Sequence, residues 1–226
     1  MYKAVFLDID DTVFNFKKCS ESALEQTFSA LKLNYEESIF DAFTEIDEGL
    51  WLKQKRNQLT VAEVLDMRFV HLKEKLEIDY DSAQVQTQFG SLLGEQYIME
   101  QGIEKVLEKL SPVYSIYAAS NGMLTIQKNR LELSGLREHF TDLFVSDDIG
   151  YAKPDSCYFK ECLNRTDLKT TEILMVGDSL TSDIAGANVA GIDSCWYNPC
   201  VLENDSEAEA DFEIHHLNDL TCILDV

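Results

Sequence analysis

Short runs rich in β-branched and aromatic residues recur along the chain at 2–7, 113–119, 142–146, 173–176 and 193–197, with a weaker sixth at 211–215. Between most of them lie amphipathic stretches of helix length, such as 124–133, 156–163 and 183–190. Parallel strands cannot be joined by tight turns, so each pair needs a long crossover, usually a helix. Strict strand–helix alternation therefore leaves few architectures open. The expected fold is α/β: a Rossmann-like parallel sheet with helices on both faces. Gly135 and Gly191 fall where such helices would end, just past their last turns.

One stretch breaks the rhythm. From about Phe16 to Met99 there is no convincing strand and no proline. Apolar residues recur there at helical spacing: Leu24, Phe28 and Leu31; Phe40, Phe43 and Leu50; Val61, Val64, Phe69, Leu72 and Leu76. A structureless loop of this length is implausible in a compact domain, so about four inserted helices are expected. This predicts a core built from 1–15 and 100–226 and a helical insert over 16–99. An insert that leaves the chain directly after the first strand is well placed to act as a lid. The same stripes also serve as the core of a helix bundle.

The 226 residues carry a formal charge of −22, from 41 acidic and 19 basic side chains. Such a surface repels nucleic-acid backbone and anionic lipid, so neither is an expected partner. A small anionic substrate stays possible, because a metal ion and a few lysines reverse the sign locally. The acidic run over 203–213 reads as a solvated loop. Six cysteines, at 19, 157, 162, 195, 200 and 222, show no C-x-x-C spacing. With a strand-like opening segment in place of a leader, and no run long enough to span a membrane, a cytoplasmic location with reduced thiols is expected.

Four polar clusters follow the predicted strands, where open α/β sheets bind ligands. The first is Asp8-Ile9-Asp10-Asp11-Thr12. Carboxylates this close repel, and desolvation would raise their pKa values; a bound cation would relieve both, although an acidic turn is the plainer reading. The second is Ser120-Asn121-Gly122, a possible oxyanion cradle and equally an ordinary turn or helix cap. The third is Lys153-Pro154, where a fixed ammonium could neutralise phosphate, or simply precede a helix. The fourth is Gly177-Asp178-Ser179 with Asp183. Asp178 would reach the same rim as Asp8, and Asp183 is either part of the site or a first-turn helix aspartate. Asp8, Asp10 and Asp178 together supply the oxygen-rich set that Mg²⁺ prefers.

In this order the clusters resemble the four motifs of the haloacid dehalogenase-like (HAD) hydrolase superfamily: D-x-D-x-T at Asp8–Thr12, the Ser/Thr motif at Ser120, the lysine motif at Lys153, and the acidic motif at Asp178 and Asp183. The resemblance covers essentially the whole chain, and the insert looks like a C1-type cap. Phe6 to Phe14, Ser120 to Gly122, Arg130 to Leu136 and Leu174 to Ser179 are similar to the YjjG/YfnB-type branch, which includes 5′-nucleotidases of pyrimidine nucleoside monophosphates. Asp11 departs from the superfamily, where many members have glycine; acidic residues occur there in this branch.

The resemblance implies a phosphomonoester hydrolase working through an aspartyl phosphate. Asp8 would be nucleophile and metal ligand, Asp10 the acid/base, and Mg²⁺ the cofactor, held by Asp8, the Asp10 backbone carbonyl and Asp178. Ser120, the Asn121 amide and Lys153 would hold phosphate oxygens, Asp183 would orient Lys153 or a water, and Thr12 would brace the first motif. The implied substrate is a small phosphorylated metabolite, a nucleoside monophosphate first. The alternatives are a phosphatase or phosphomutase of a small sugar phosphate and, outside enzymes, a phospho-acceptor or binding protein on the same scaffold. Haloacid dehalogenases lack an aspartate at the place of Asp10, since a leaving halide needs no proton. No protein partner is evident from the sequence.

Overall fold

In the computed structural model, which describes residues 1–226, six parallel strands form one sheet in the order β3-β2-β1-β4-β5-β6. They are β1 (Ala4–Leu7), β2 (Ser115–Ser120), β3 (Asp142–Val145), β4 (Ile173–Gly177), β5 (Asp193–Tyr197) and β6 (Phe212–Ile214). β1 reads Ala-Val-Phe-Leu and is buried throughout. Such a run has no polar alternation because helices cover both faces of a parallel sheet. β1 lies at the centre, with Leu7 opposite Ala118 of β2 and Val176 of β4. The strand order reverses there, and ligands of open α/β sheets collect at the carboxyl edge of such a switch point.

The helices are α1 (Phe16–Ala30), α2 (Glu37–Lys55), α3 (Val61–Leu76), α4 (Ser82–Leu93), α5 (Ile103–Leu110), α6 (Leu124–Leu133), the single turn α7 (Ser146–Ile149), α8 (Ser156–Asn164), α9 (Ala185–Ala190) and the short α10 (Leu220–Ile223). The chain divides into two compact units. One comprises Met1–Phe16 with Tyr97–Val226, and the other Lys17–Gln96.

In the sheet unit, Phe6, Tyr117 and Phe144 form an aromatic layer. Phe6 meets Phe144 edge-on at 5.5 Å, and Tyr117 stacks on Phe144 at 5.0 Å, geometries that ring quadrupoles favour. The buried Tyr158 hydroxyl donates to the Phe144 carbonyl at 2.7 Å. Gly186 lets α9 approach α8, since a Cβ there would run into the Phe159 ring.

In the helical unit, Phe43, Phe69 and Phe89 cluster at 5.2–5.6 Å. The buried Arg68 guanidinium lies against all three rings, 4.7 Å from that of Phe89. It pairs with Asp47 at 3.4 Å and donates to Gln86 at 2.8 Å. A reciprocal Thr60–Glu63 capping box opens α3, and Asp81 caps α4, each satisfying amides that a helix start leaves unpaired.

Most boundaries fall within a few residues of the sequence expectation, and two of the differences have a clear local cause. β2 begins at Ser115 rather than at 113, because the amides of Val113 and Tyr114 bond back to the Leu110 carbonyl at the end of α5. The helix expected over 183–190 starts as a π-helical turn, Leu180–Ile184, and becomes α9 only at Ala185. No helix is long and apolar enough to cross a membrane.

Candidate active site

Three neighbouring strands deliver the expected clusters to one edge of the sheet. Asp8 follows β1, Ser120 ends β2 and Asp178 follows β4. Oxygen atoms of Asp8, Asp178 and Asp183 all lie within 4.8 Å of one another. Asp183 is fully buried, and its Oδ2 accepts from the Ser179 amide at 3.0 Å. The π-helical turn is what returns this side chain beneath β4. Gly177 leaves room for it: a Cβ there would overlap the Asp183 carboxylate.

Lys153 is buried at the centre. Its Nζ donates to Asp8 Oδ1 at 2.7 Å, to Asp183 Oδ1 at 2.6 Å and to the Ala119 carbonyl, which occupies all three ammonium protons. Burial works against its charge, but Asp183 and Asp8 outweigh burial and hold its pKa above the usual lysine value. For Asp8, burial and then the Asp183 charge push the pKa well above the usual carboxylate range, and Lys153 only partly opposes them. Three carboxylates stand against one ammonium, a formal excess of two negative charges. An all-oxygen donor set with that excess fits a hard divalent cation such as Mg²⁺.

The second and third clusters lock together. The Asn121 side chain brackets the backbone of Lys153, accepting from its N–H and donating to its carbonyl, both at 2.8 Å. Ser146 Oγ accepts from the Gly122 amide at 2.9 Å. α8 begins two residues beyond Pro154, capped by the Asp155 side chain.

Asp10 is turned elsewhere. Its Oδ1 accepts from Arg130 Nη1 at 2.5 Å and its Oδ2 from Gln127 Nε2 at 2.7 Å. Gln127 Nε2 also donates to Ser120 Oγ at 3.0 Å, and Arg130 Nη1 to Gln127 Oε1 at 2.9 Å. The Arg130 guanidinium lies 4.7 Å from the centre of the Phe14 ring. Gln127 and Arg130 were given no role from sequence. With Leu131 they occupy the buried face of α6, where unpartnered polar side chains would be costly; in the sequence only their three-residue spacing points to that face. Asp11 sits at φ 57°, where aspartate is tolerated better than most residues and glycine best, and its Oδ1 accepts from the Phe16 amide at 2.9 Å at the start of α1. Thr12 is buried, and its hydroxyl makes no hydrogen bond within the protein.

The structure thus brings Asp8, Lys153, Asp178 and Asp183 into one cluster. Ser120 joins Asp10 through Gln127, the Asn121 side chain serves the Lys153 backbone, and the Asp10 carboxylate stands apart from the other three.

A family model described as haloacid dehalogenase-like hydrolase matches residues 2–191. A Bacillus subtilis protein named as a HAD-hydrolase, YfnB, is 31% identical over all of this chain and 96% of its own length. Its magnesium-bound crystal structure superposes with a TM-score of 0.94, covering 100% of this chain and 99% of that one. The pyrimidine 5′-nucleotidase PynA of Streptococcus pneumoniae is 30% identical, with 99% and 95% of the two chains covered. The pyrimidine 5′-nucleotidase YjjG of Escherichia coli is 26% identical, with 97% and 96% covered.

Proposed function

The chain belongs to the haloacid dehalogenase-like hydrolases, and from that premise we propose that it is a magnesium-dependent phosphomonoester hydrolase whose substrates are nucleoside 5′-monophosphates, pyrimidine ones first. The observation that carries this reading is the cluster of Asp8, Asp178 and Asp183 around Lys153, with a fourth carboxylate, Asp10, held apart from it. One carboxylate is then available to attack and another to move a proton. The names of PynA and YjjG support the substrate class, and the magnesium in YfnB supports the cofactor.

Asp8 attacks phosphorus in line, its Oδ forming the new P–O bond as the bond to the substrate alcohol breaks. Asp10 gives the departing alkoxide its proton and then takes one from the water that hydrolyses the aspartyl phosphate. Lys153 keeps a fixed positive charge beside Asp8 and offsets charge on the phosphoryl oxygens. The Ser120 hydroxyl and the Asn121 backbone amide hold the remaining oxygens. Asp8, Asp178 and the Asp10 backbone carbonyl would bind Mg²⁺, which screens nucleophile from phosphate when bound. Asp183 orients Lys153, and Thr12 packs beneath the first motif. The helical unit, inserted directly after that motif, is the natural seat of leaving-group selection. Six cysteines without a disulfide suit a reducing cytoplasm.

Phosphate release from a panel of nucleoside monophosphates and sugar phosphates, with Mg²⁺ and with a chelator, tests the proposal. The expected result is Mg²⁺-dependent release with the highest kcat/KM on pyrimidine nucleotides. A clear preference for sugar phosphates overturns the nucleotidase assignment. No release from any ester, with lasting labelling by a small phosphodonor, overturns the hydrolase itself.

A further inference from the structure

We propose that Gln127 and Arg130 are positioning residues that fix the Asp10 carboxylate relative to the phosphate seat, so that they govern reaction with substrates whose leaving group needs a proton. This rests on Asp10 being the acid/base of the proposed hydrolase.

Arg130 is fully buried. Burying a guanidinium is expensive, and a well-packed apolar residue in place of a buried ion pair is commonly neutral or stabilising. Packing alone thus gives no reason for arginine on the buried face of α6. Besides its contact with the Phe14 ring, the arginine makes a 2.5 Å pair with Asp10 and a 2.9 Å bond to Gln127. That second bond settles the amide: Oε1 must face the Arg130 donor, which directs the Gln127 N–H groups at Asp10 Oδ2 and Ser120 Oγ.

The result is a fork with two tines. Both Asp10 oxygens are held from the α6 side, which fixes the carboxylate plane. Each oxygen keeps lone-pair capacity beyond the bond it accepts, and the Asp10 side chain is still 28% exposed, so holding it does not occlude it. The same Gln127 nitrogen bonds the Ser120 hydroxyl, the proposed phosphate contact. One helix therefore sets the offset between the proton-transfer group and the phosphate. A shift of about an ångström in such a group costs on the order of 100-fold in rate.

The reaction supplies a readout that general destabilisation does not move. kcat/KM reports the steps up to phosphoryl transfer onto Asp8. In that step an acidic phenol leaves without help, whereas a nucleoside 5′-hydroxyl must be protonated. The holoenzyme and its Gln127→Met, Arg130→Met, Arg130→Lys and Asp10→Asn variants are assayed with p-nitrophenyl phosphate, phenyl phosphate and uridine 5′-monophosphate, and their melting is recorded. For Gln127→Met and Arg130→Met, the loss on the nucleotide should exceed the loss on p-nitrophenyl phosphate by roughly 10–100-fold, within the span of general acid catalysis. Arg130→Lys should recover part of that gap, and phenyl phosphate should fall between. Should Arg130→Met fail to fold, Gln127→Met, which keeps every charge, decides the matter. Equal losses on all three esters, or a gain on the nucleotide, overturn the inference while Asp10→Asn still shows the gap. If Asp10→Asn itself shows no gap, the acid/base reading of Asp10 has failed instead, and the inference with it.

Discussion

Replacing Gly177 by alanine should damage the site through a side chain six residues away. Gly177 ends β4 with φ outside the left-handed region, so alanine meets no backbone objection. The obstacle is Asp183. A Cβ on residue 177 would overlap the Asp183 carboxylate and lie 2.8 Å from its Cβ. Restoring van der Waals separation pushes the carboxylate back by ~1 Å or more. Its bonds to Lys153 at 2.6 Å and to the Ser179 amide at 3.0 Å cannot both survive that move. Disrupting a buried ion pair from one side costs about 3–5 kcal/mol, or roughly 6–20 °C in melting temperature for a chain this long. Because Lys153 shifts with its partner, kcat/KM for phosphate release should fall on the order of 100-fold. Asp183→Ala provides the control: without the carboxylate only the Cβ contact remains, so Gly177→Ala should cost far less there, with a coupling of ~1–3 kcal/mol. Melting curves and initial rates on the four proteins of this cycle check it. A Gly177→Ala protein that melts and turns over like the parent refutes the reasoning, as does an equal cost in both backgrounds.

Asp8→Asn should reduce phosphate release to background while the protein stays folded. It should also change how stability depends on pH. Burial, then the Asp183 charge, push the Asp8 carboxyl from an ordinary 3.8 up to about 7. Between those values the folded state binds the extra proton, so this group's contribution to stability is full at acid pH and is lost as pH rises toward the upper value. In metal-free protein, the melting temperature of Asp8→Asn relative to the parent should therefore rise from about pH 4 to about pH 8; a flat difference contradicts the assignment. In the helical unit, Arg68→Ala strands the buried Asp47 and opens space among Phe43, Phe69 and Phe89. A loss of about 3–5 kcal/mol in chemical denaturation is expected, and a loss under ~1 kcal/mol would show that the pair carries little.

The sheet was legible because parallel strands are buried on both faces and so stand out as apolar runs, β1 most of all. The four polar clusters were legible because each follows such a run and the switch point gathers strand ends. The strand starts were less so: Val113 and Tyr114 look like strand residues, but their amides answer to the last carbonyls of α5. The fork on Asp10 escaped because α6 reads Leu-Thr-Ile-Gln-Lys-Asn-Arg-Leu-Glu-Leu, whose polar residues pass for a solvated face. Only the three-residue spacing of Gln127 and Arg130, ahead of Leu131, hints that polar groups point inward. The Asn121 bracket had no signal either, since a bond to the backbone of a residue 32 positions on leaves no trace in local pattern.

The central place of β1 has a consequence for how the molecule is assembled. Ala4 has its two partners at Ser115 and Ile173. A ribosome releases β1 before either neighbour, and the second of them, at Ile173, emerges long after the first, at Ser115. Until then the strand that presents Asp8 has an open edge, and long-range pairing of this kind is slow because the loop must close before contacts repay it. The contacts of the helical unit are local by comparison, and domains fold as units during synthesis. Asp8 is thus made before either neighbouring strand and set in place only after both, so a chain that stops short of β4 carries the carboxylate without its partners Lys153, Asp178 and Asp183 in position.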